Sequence, residues 1–386
     1  MRVLFLTHSF PRFSGDVPGS FLHRLAVALR TENIDVHVVA PSAAGLAPSE
    51  RIDGVPVERF RYAPRSRETL AYTGTMAQDV AASWGARFAM AGYMGAGLAS
   101  GLRARRRLAP DVIHAHWWFP SGLLAAVVAR FTGTPLITTM HGSDVRFARD
   151  IPASRPMFRQ VMQRSSRVTV VSRWLGAEAT AVMPGLAPIV APMPVAAERF
   201  TPGGRRHENR FLFVGRLNEQ KGLGHALRAM VHVPQATIDV VGDGPDRDSL
   251  ELLATERGLA GRVVWHGQLT QLELAPLYQS ATALVVPSTD EGLGLVAAEA
   301  LLCETPVIAF RSGGLPDVIS HGRSGLLVEA GDEKAFAGAM QRVLDRPAES
   351  RAMAKAGRMS AIAAFSPEAV ARRYAGIYRD AIGRNG

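Results

Sequence analysis

Short apolar runs alternate with amphipathic segments along the whole chain, and this alternation most limits the folds open to it. In the first half, each apolar run has the length of a strand, and helical patterns separate the runs. A repeated order of strand, helix and strand predicts a parallel sheet that helices cover on both faces. The predicted strands are Val3–Thr7, Val36–Ala40, Val112–Ala115, Leu136–Met140 and Val168–Val171, with helices at Phe21–Arg30 and Leu123–Phe131.

The pattern breaks between Pro192 and Glu208, where prolines and glycines lie in a polar stretch typical of a linker. A second alternating series follows, so we predict two doubly wound, Rossmann-like α/β domains facing each other across a cleft. The predicted parts are an N-terminal domain 1–192, a linker 193–208, a C-terminal domain 209–365 and a last helix 366–384. The second series of strands is Phe211–Gly215, Ile238–Gly242, Val263–His266, Ala283–Pro287, Pro306–Ala309 and Gly325–Val328.

Composition excludes several classes of protein. With 386 residues, 47% of them hydrophobic, the chain can build two cores. Its single cysteine, Cys303, cannot form an internal disulfide, and the apolar run at the N-terminus is too short for a signal peptide, so we expect a cytoplasmic protein. The net charge is +10, but no aromatic residues alternate with the scattered arginines, which argues against nucleic-acid binding. No histidine or cysteine cluster has metal-ligand spacing, so no metal site is predicted.

The segment from Pro287 to Ile319 carries the strongest functional signal. Glu291 follows an apolar strand in a glycine-containing loop, and Glu299 lies within the next helix. Both carboxylates project along a single wall, whereas the paired carboxylates of a glycosidase flank one bond from opposite sides. The pattern therefore indicates two contacts to one long ligand. A nucleotide sugar would fit, with its diphosphate over the helix N-terminus, sugar hydroxyls at Glu291 and ribose hydroxyls at Glu299.

Three motifs in this order resemble family 4 of the retaining GT-B glycosyltransferases. They are HGSD at His141 to Asp144, VGRLNEQKG at Val214 to Gly222, and the two glutamates separated by seven residues. The resemblance runs from Met1 to about Arg379. It implies a GT-B fold whose last helix crosses back onto the N-terminal domain, and transfer of a sugar from a nucleotide donor to an acceptor hydroxyl with retention of configuration.

The resemblance also implies roles for individual residues. Arg216 and Lys221 would hold the donor phosphates and stabilise the departing nucleotide, for which a planar fork and a point charge are suited. His141 would lie near the reacting carbon without acting as a general base. We assign catalysis to His141, Arg216, Lys221 and Glu291. The predicted donor-binding residues are Gly19, Arg216, Lys221, Glu291, Gly292, Leu293, Gly294, Leu295 and Glu299.

The acceptor side is less constrained by the motifs. We predict that Asp16, His116 and Asp144 face the acceptor. For Asp144, orienting His141 or capping a helix are the alternatives. For Asp16, the alternative is a surface turn. The first loop lacks the doubled glycine common in the family, so either Gly15 or Gly19 makes the close approach to the donor.

The segment Phe88–Arg107 allows two interpretations. It is free of acidic residues, rich in glycine, and ends in four arginines between Arg103 and Arg107. It could bind peripherally to the anionic inner face of the cell membrane. Alternatively, it could be an ordinary helix packed on the N-terminal sheet. It is too short to span a bilayer.

Other activities remain as alternatives. A sugar-nucleotide epimerase could use the same fold, and a basic, non-enzymatic protein could bind membrane or nucleic acid. We expect no bound cofactor. The expected co-substrate is a sugar linked to UDP or GDP, and the expected acceptor is a glycan, a lipid-linked molecule or a small molecule.

Overall fold

The computed structural model describes residues 1–72 and 76–383, and these residues form two compact units. Unit 1 contains Met1–Pro194 together with the C-terminal segment that starts at Val370. Unit 2 contains Val195–Ala369. Each unit is a layered α/β structure built on one sheet, so the predicted fold class of two doubly wound domains is confirmed.

Unit 1 has a sheet with the strand order β3-β4-β2-β1-β5-β6-β7-β8. Neighbouring strands are parallel except β3, which pairs antiparallel with β4. The strands are β1 (Arg2–Leu6), β2 (Asp35–Pro41), β3 (Ser49–Ile52), β4 (Val55–Phe60), β5 (Val112–His116), β6 (Leu136–Met140), β7 (Arg167–Val170) and β8 (Ile189–Val190). The helices are α1 (Ser20–Ala28), α2 (Met76–Ala82), α3 (Trp84–Leu108), α4 (Leu123–Thr132), α5 (Ser143–Asp150), α6 (Arg155–Arg164) and α7 (Arg173–Val182).

Unit 2 has an all-parallel sheet with the order β11-β10-β9-β12-β13-β14. The strands are β9 (Arg210–Val214), β10 (Thr237–Val241), β11 (Val263–Gly267), β12 (Ala283–Val286), β13 (Val307–Phe310) and β14 (Leu326–Val328). The helices are α8 (Leu223–Met230), α9 (Arg247–Glu256), α10 (Gln271–Ser280), α11 (Leu295–Leu302), α12 (Leu315–Val318), α13 (Glu333–Asp345) and α14 (Pro347–Phe365). The strands and the apolar faces of α8, α9, α13 and α14 form one buried core.

The last helix, α15 (Pro367–Gly383), leaves unit 2 and packs within unit 1. The Tyr374 hydroxyl donates to the carbonyl of Ala191 at 3.0 Å. Asp380 pairs with Arg167 at 2.6 Å. These contacts tie the end of the chain to the first unit. The predicted helix ended at Arg384, which lies outside the described residues.

The long helix α3 packs closely on unit 1 because three of its glycines face neighbouring elements. A β-carbon at Gly92 would lie 2.3 Å from the carbonyl oxygen of Tyr62, and one at Gly97 would lie 2.7 Å from a methyl group of Leu124. A β-carbon at Gly101 would touch Val128 at 3.2 Å. Glycine therefore serves close packing here. Within the described ranges, no helix has both the length and the apolar character needed to cross a bilayer.

Candidate functional site

The strand order of unit 2 creates a switch point between β9 and β12. The chain runs from β9 outward through β10 to β11, and then returns to the other side of β9 with β12. Only two residue pairs join these strands, Ala283 with Phe211 and Leu284 with Leu212. In open parallel sheets, ligands bind beyond the carboxyl ends of the strands at such a point. The loops after β9 and β12 carry six predicted donor-site residues: Arg216, Lys221, Glu291, Gly292, Leu293 and Gly294.

The loop after β9 lies directly against the end of β12. Gly222 has a φ of 68°, and a β-carbon there would lie 2.1 Å from the carbonyl oxygen of Pro287. The amide of Thr289 donates to the carbonyl of Gln220 at 2.9 Å. The Gln220 side chain donates to the carbonyl of Asp290 at 3.0 Å. Glycine at 222 is thus what allows the two loops to meet.

Lys221 and Glu291 form the central contact of this site. The Lys221 Nζ donates to Glu291 Oε2 at 2.5 Å, and the two side chains are 23% and 13% exposed. Asn218 accepts a hydrogen bond from the Lys221 amide through its side chain at 3.1 Å, which fixes the turn that carries the lysine. A cation and an anion in contact at a switch point can bind a phosphate and a hydroxyl of adjacent parts of one ligand.

Arg216 extends from the same loop as Lys221. The amides on either side of it, of Gly215 and Leu217, donate to the carbonyls of Val241 and Asp243, each at 3.0 Å. The backbone of Arg216 is therefore held, whereas the side chain is exposed. The guanidinium can turn toward an anion, and ordering this exposed side chain on binding costs about 1 kcal/mol.

The backbone of Glu291 is fixed by the loop after β13. The amide of Gly314 donates to the carbonyl of Glu291 at 2.7 Å, and a β-carbon at Gly313 would lie 2.2 Å from the same oxygen. The amide of Asp290, whose φ is 52°, donates to the Ser312 hydroxyl at 3.0 Å. Three loops therefore meet at Glu291.

Helix α11 begins beside Glu291 and directs its free amides into this region. Gly294 caps the helix with a φ of 87°, and a β-carbon there would lie 2.6 Å from Leu315. Leu293 is buried, while Gly292 and Leu295 remain partly exposed. The first amides of a helix have no partner within it and favour an anion.

Glu299 lies on the inner side of the same helix. It is 9% exposed, and its Oε2 accepts a hydrogen bond from the Tyr278 hydroxyl at 3.1 Å. Burial and the neighbouring Glu299 raise the pKa of Tyr278 well above its usual value. Tyr278 is therefore a neutral donor that orients the carboxylate.

Unit 1 has its own switch point, between β1 and β5. His8 follows β1, Trp117 follows β5, and their rings lie 4.2 Å apart. His141 follows the adjacent β6, and its ring lies 4.3 Å from that of Trp117. Trp117 has a φ of 64°, a strained value for a residue with a β-carbon. The aromatic cluster of His8, Trp117 and His141 is thus assembled at the strand ends.

Asp144 holds the backbone on both sides of this cluster. Its Oδ1 accepts from the amides of His141 at 3.1 Å and Gly142 at 3.0 Å, and its Oδ2 accepts from the amide of Trp118 at 3.1 Å. Asp144 is 4% exposed, and burial raises its pKa despite these bonds. Of the alternatives, orientation of His141 matches these contacts, while Gly142 occupies the N-cap of α5.

The other two residues predicted on the acceptor side, His116 and Asp16, are buried. His116 is completely buried and has no surface open to an acceptor, and its Nδ1 lies 3.3 Å from Nε2 of His141. Asp16 is 6% exposed and pairs with Arg12 at 2.7 Å. Burial favours protonation of Asp16, but its bonds to Arg12 outweigh burial and lower its pKa. Asp16 thus stabilises its own loop.

The two glycines of the first loop differ in their surroundings. Gly19 has a φ of 72°, and a β-carbon there would lie 2.7 Å from the carbonyl oxygen of Ser9. Gly15 has a φ of 92° and nothing within 4 Å of such an atom. Gly19 is therefore required for the loop to pack on itself, whereas Gly15 leaves open space.

Sequence reasoning missed three polar residues of the unit 2 site: Gln220, Tyr278 and Ser312. Gln220 and Ser312 connect the loops, and Tyr278 connects α10 to Glu299. Tyr278 lies in an apolar helical pattern, which does not distinguish a ligand-site residue from a core residue. Among the described residues, no group of three histidine, cysteine or acidic side chains could hold a metal ion.

Two known family profiles together match most of the chain. The profile of the family described as glycosyl transferases group 1 matches residues 196–360, and that of the glycosyl transferase 4-like domain matches residues 18–194. A D-inositol 3-phosphate glycosyltransferase of Catenulispora acidiphila is 33% identical over 70% of this chain and 72% of its own length. A glycogen synthase of Mycobacterium tuberculosis is 29% identical over 98% of this chain and 94% of its own.

Solved structures resemble the chain over nearly its full length. The sucrose-phosphate synthase of Thermosynechococcus elongatus has a TM-score of 0.83 and 25% identity, and 99% of each chain is covered. HepE of Anabaena, solved in complex with UDP-glucose, has a TM-score of 0.73 and 18% identity, with 98% of this chain and 99% of HepE covered. The second likeness concerns the fold alone.

Proposed function

The chain belongs to the family 4 glycosyltransferases of the GT-B fold and is a nucleotide-sugar-dependent glycosyltransferase; from this premise, we propose that unit 2 binds the donor and that transfer retains the anomeric configuration. The contact between Lys221 and Glu291 carries this proposal. It brings a phosphate-binding cation within 2.5 Å of a hydroxyl-binding anion at the switch point of the sheet.

In the proposed complex, the diphosphate lies between Arg216, Lys221 and the first amides of α11. The sugar hydroxyls bind Glu291, and the ribose hydroxyls bind Glu299, which Tyr278 orients. When the bond between the anomeric carbon and the phosphate oxygen breaks, negative charge develops on the diphosphate. Lys221 and the first amides of α11 are already in place and stabilise that charge without reorganisation.

The acceptor hydroxyl is proposed to bind unit 1 near His141. Its oxygen forms the new bond to the anomeric carbon, and its proton passes to the leaving diphosphate on the same face. His141 hydrogen-bonds the transferred sugar without removing a proton. Burial lowers its pKa well below the usual value, which keeps the imidazole neutral at pH 7.

Uridine diphosphate sugars are the first donors to test. HepE, which shares the fold, was solved with UDP-glucose. The relatives are named for acceptors as different as an inositol phosphate and glycogen, so a panel of acceptors is needed. We propose action in the cytoplasm, with no bound metal or organic cofactor; added chelator should leave turnover unchanged.

A thermal-shift panel of uridine, guanosine and adenosine diphosphate sugars identifies the donor, because a ligand that binds the native state raises its apparent stability. Lys221→Ala should remove most of the shift and reduce transfer about 100-fold or more. Lys334→Ala removes a lysine from an exposed position on α13 and serves as the matched control. Wild-type transfer by Lys221→Ala would refute the assignment, and an inverted product in proton NMR would refute retention.

The same panel separates the alternative functions. An epimerase would convert the sugar nucleotide without any acceptor, whereas a transferase forms a new glycoside only when one is present. Salt-dependent DNA binding without nucleotide-sugar binding would favour the non-enzymatic alternative.

One face of α3 favours peripheral contact with an anionic membrane. Trp84 and Phe88 are 73% and 75% exposed. The same face continues through small residues to two exposed arginines, Arg103 and Arg106. Arg103 also donates to the Ser100 hydroxyl at 3.0 Å, while Arg107 pairs with Glu58 and Arg105 bonds Thr134. Aromatic rings at one end and cations at the other suit an interface with anionic headgroups.

Flotation with phosphatidylserine liposomes tests this contact. Joint replacement of Trp84 and Phe88 by serine, or of Arg103 and Arg106 by glutamine, should reduce binding. Met359→Ser removes an apolar side chain of equal exposure, 74%, from unit 2 and should change nothing. Absence of wild-type binding would exclude the membrane contact without affecting the proposed transfer reaction.

A further inference from the structure

His116 lies directly behind His141 and bonds to it. His116 is the last residue of β5, and its Nδ1 lies 3.3 Å from Nε2 of His141. The ring of His116 is completely buried, with Phe5 edge-on at 4.7 Å and His114 at 4.0 Å between centroids. Such packing holds the ring plane of His116 in place beside His141.

Each of the two rings carries a single proton. Burial, aided by neighbouring histidines, lowers the pKa of both His116 and His141 well below the usual value. Both are therefore neutral at pH 7. A hydrogen bond between two neutral imidazoles needs an N–H on one ring and a bare nitrogen on the other.

The second nitrogen of His116 decides which ring donates. Its Nε2 is buried, and no partner for it exists among the described residues. A buried N–H without an acceptor is rarer and more costly than a bare acceptor without a donor. The proton of His116 therefore belongs on Nδ1, which donates to Nε2 of His141. The proton of His141 then belongs on its own Nδ1.

From this geometry we propose that His116 is a positioning residue that fixes the tautomer of His141 and so makes Nδ1 of His141 a hydrogen-bond donor to the transferred sugar. Asp144 holds the backbone of His141. The centroid of the His141 ring lies 4.3 Å from that of Trp117 and 5.3 Å from that of Phe21. With backbone, ring plane and proton all fixed, His141 meets a sugar oxygen in a single arrangement. The effect on turnover rests on the proposed function, whereas the tautomer does not.

Long-range proton–nitrogen NMR of protein labelled with ¹⁵N-histidine reports which ring nitrogen carries the proton. The His141 signal is identified by its loss in His141→Asn. We expect the Nδ1–H form in the wild type. A wild-type His141 with its proton on Nε2 would overturn the proposal, and this result does not depend on finding a donor or an acceptor.

Two substitutions separate hydrogen bonding from packing. His116→Asn places an amide near the position of Nδ1, whereas His116→Gln places one near Nε2. His116→Gln should leave His141 as a mixture of tautomers and reduce kcat about 10- to 100-fold, with the KM for the donor changed less than about threefold. His116→Asn should restore the Nδ1–H form and most of the lost rate.

The same chemical change at an exposed histidine, His232→Gln in unit 2, is the control and should behave as wild type. Equal losses in His116→Asn and His116→Gln would show that His116 acts only through packing. If His116→Gln fails to fold, the wild-type spectrum and His116→Asn still decide. Absence of transfer with every donor would refute the proposed function and leave the spectroscopic test intact.

Discussion

Glu299 shows how a single buried side chain can connect the core to a ligand site. Its position on α11 follows from the sequence, but its partner Tyr278 lies on α10, 21 residues earlier. The buried hydroxyl supplies a hydrogen bond that water would otherwise supply. The Glu299 carboxylate therefore has a fixed orientation before a ligand binds.

Tyr278→Phe removes this hydroxyl and keeps the ring. We expect the Kd for the donor nucleotide to rise about 3- to 10-fold, since a net hydrogen bond is worth about 1 kcal/mol. Titration calorimetry measures the change. Tyr374→Phe removes a comparable buried hydroxyl from unit 1 and should leave donor binding unaltered. Equal donor binding by Tyr278→Phe and the wild type would mean that Glu299 binds the donor without the hydrogen bond from Tyr278.

At the scale of elements, the donor site depends on close approach between loops. Gly222 and Gly313 both lie where a β-carbon would fall within 2.2 Å of backbone oxygen in a neighbouring loop. Each loop follows a different strand, so the contact that brings Lys221 to Glu291 is made by the sheet and not by local sequence. The glycines allow the approach, and the strand order requires it.

Gly222→Ala should disrupt the site more than its backbone strain alone predicts. Gly222 and Gly258 have nearly equal φ values, 68° and 69°, but a β-carbon at Gly258 meets nothing within 4 Å. Gly258→Ala should cost only about 1 kcal/mol of strain. Gly222→Ala should also displace the loop from Pro287 and weaken nucleotide binding at least about 10-fold. Comparable binding by the two variants, measured by calorimetry, would contradict this account.

The sequence predicted elements and motif positions well where periodicity is strong. Leu136–Met140 agrees with β6 at both ends, and the other predicted strands differ by a residue or so. The antiparallel pair β3 and β4 was missed, although Asp53 and Gly54, with φ of 46° and 80°, form a recognisable hairpin turn. Polar residues in these short strands weaken the alternation.

The site itself was only partly predictable. The periodicity of apolar residues locates the strands, and in a parallel sheet their carboxyl ends lie at one edge. This predicts the positions of Arg216, Lys221, Glu291 and His141. Pairwise contacts such as that of His116 with His141 depend on how side chains pack between neighbouring strands. This packing cannot be predicted from the pattern of a single sequence. Glu304 adopts a φ of 56°, the conformation that glycine prefers.

At the scale of the whole molecule, buried histidines make stability depend on pH. His114 is completely buried between Tyr378 and Thr139, and burial lowers its pKa to about 3. The unfolded chain binds a proton at this histidine near its ordinary value of 6.5, whereas the folded chain does not. Protons therefore favour unfolding between these two values, and the stability present above pH 6.5 is lost as the pH falls.

We expect the free energy of unfolding to fall on acidification from pH 7 to 5, by about 2 kcal/mol for His114 alone. Urea unfolding followed by tryptophan fluorescence reports this mainly for unit 1, which contains Trp84, Trp117, Trp118 and Trp174. His114→Asn should reduce the slope by about one proton, even though the protein is less stable at every pH. An unchanged slope in that variant would show that His114 is not neutral in the folded protein.

The crystal structure with the nucleoside diphosphate that gives the largest thermal shift tests the central claim most directly. We predict diphosphate oxygens about 3 Å from Lys221 Nζ and from the first amides of α11, with the ribose hydroxyls on Glu299. A nucleotide bound away from the loops after β9 and β12, with the Lys221–Glu291 contact left outside the binding site, would contradict the account.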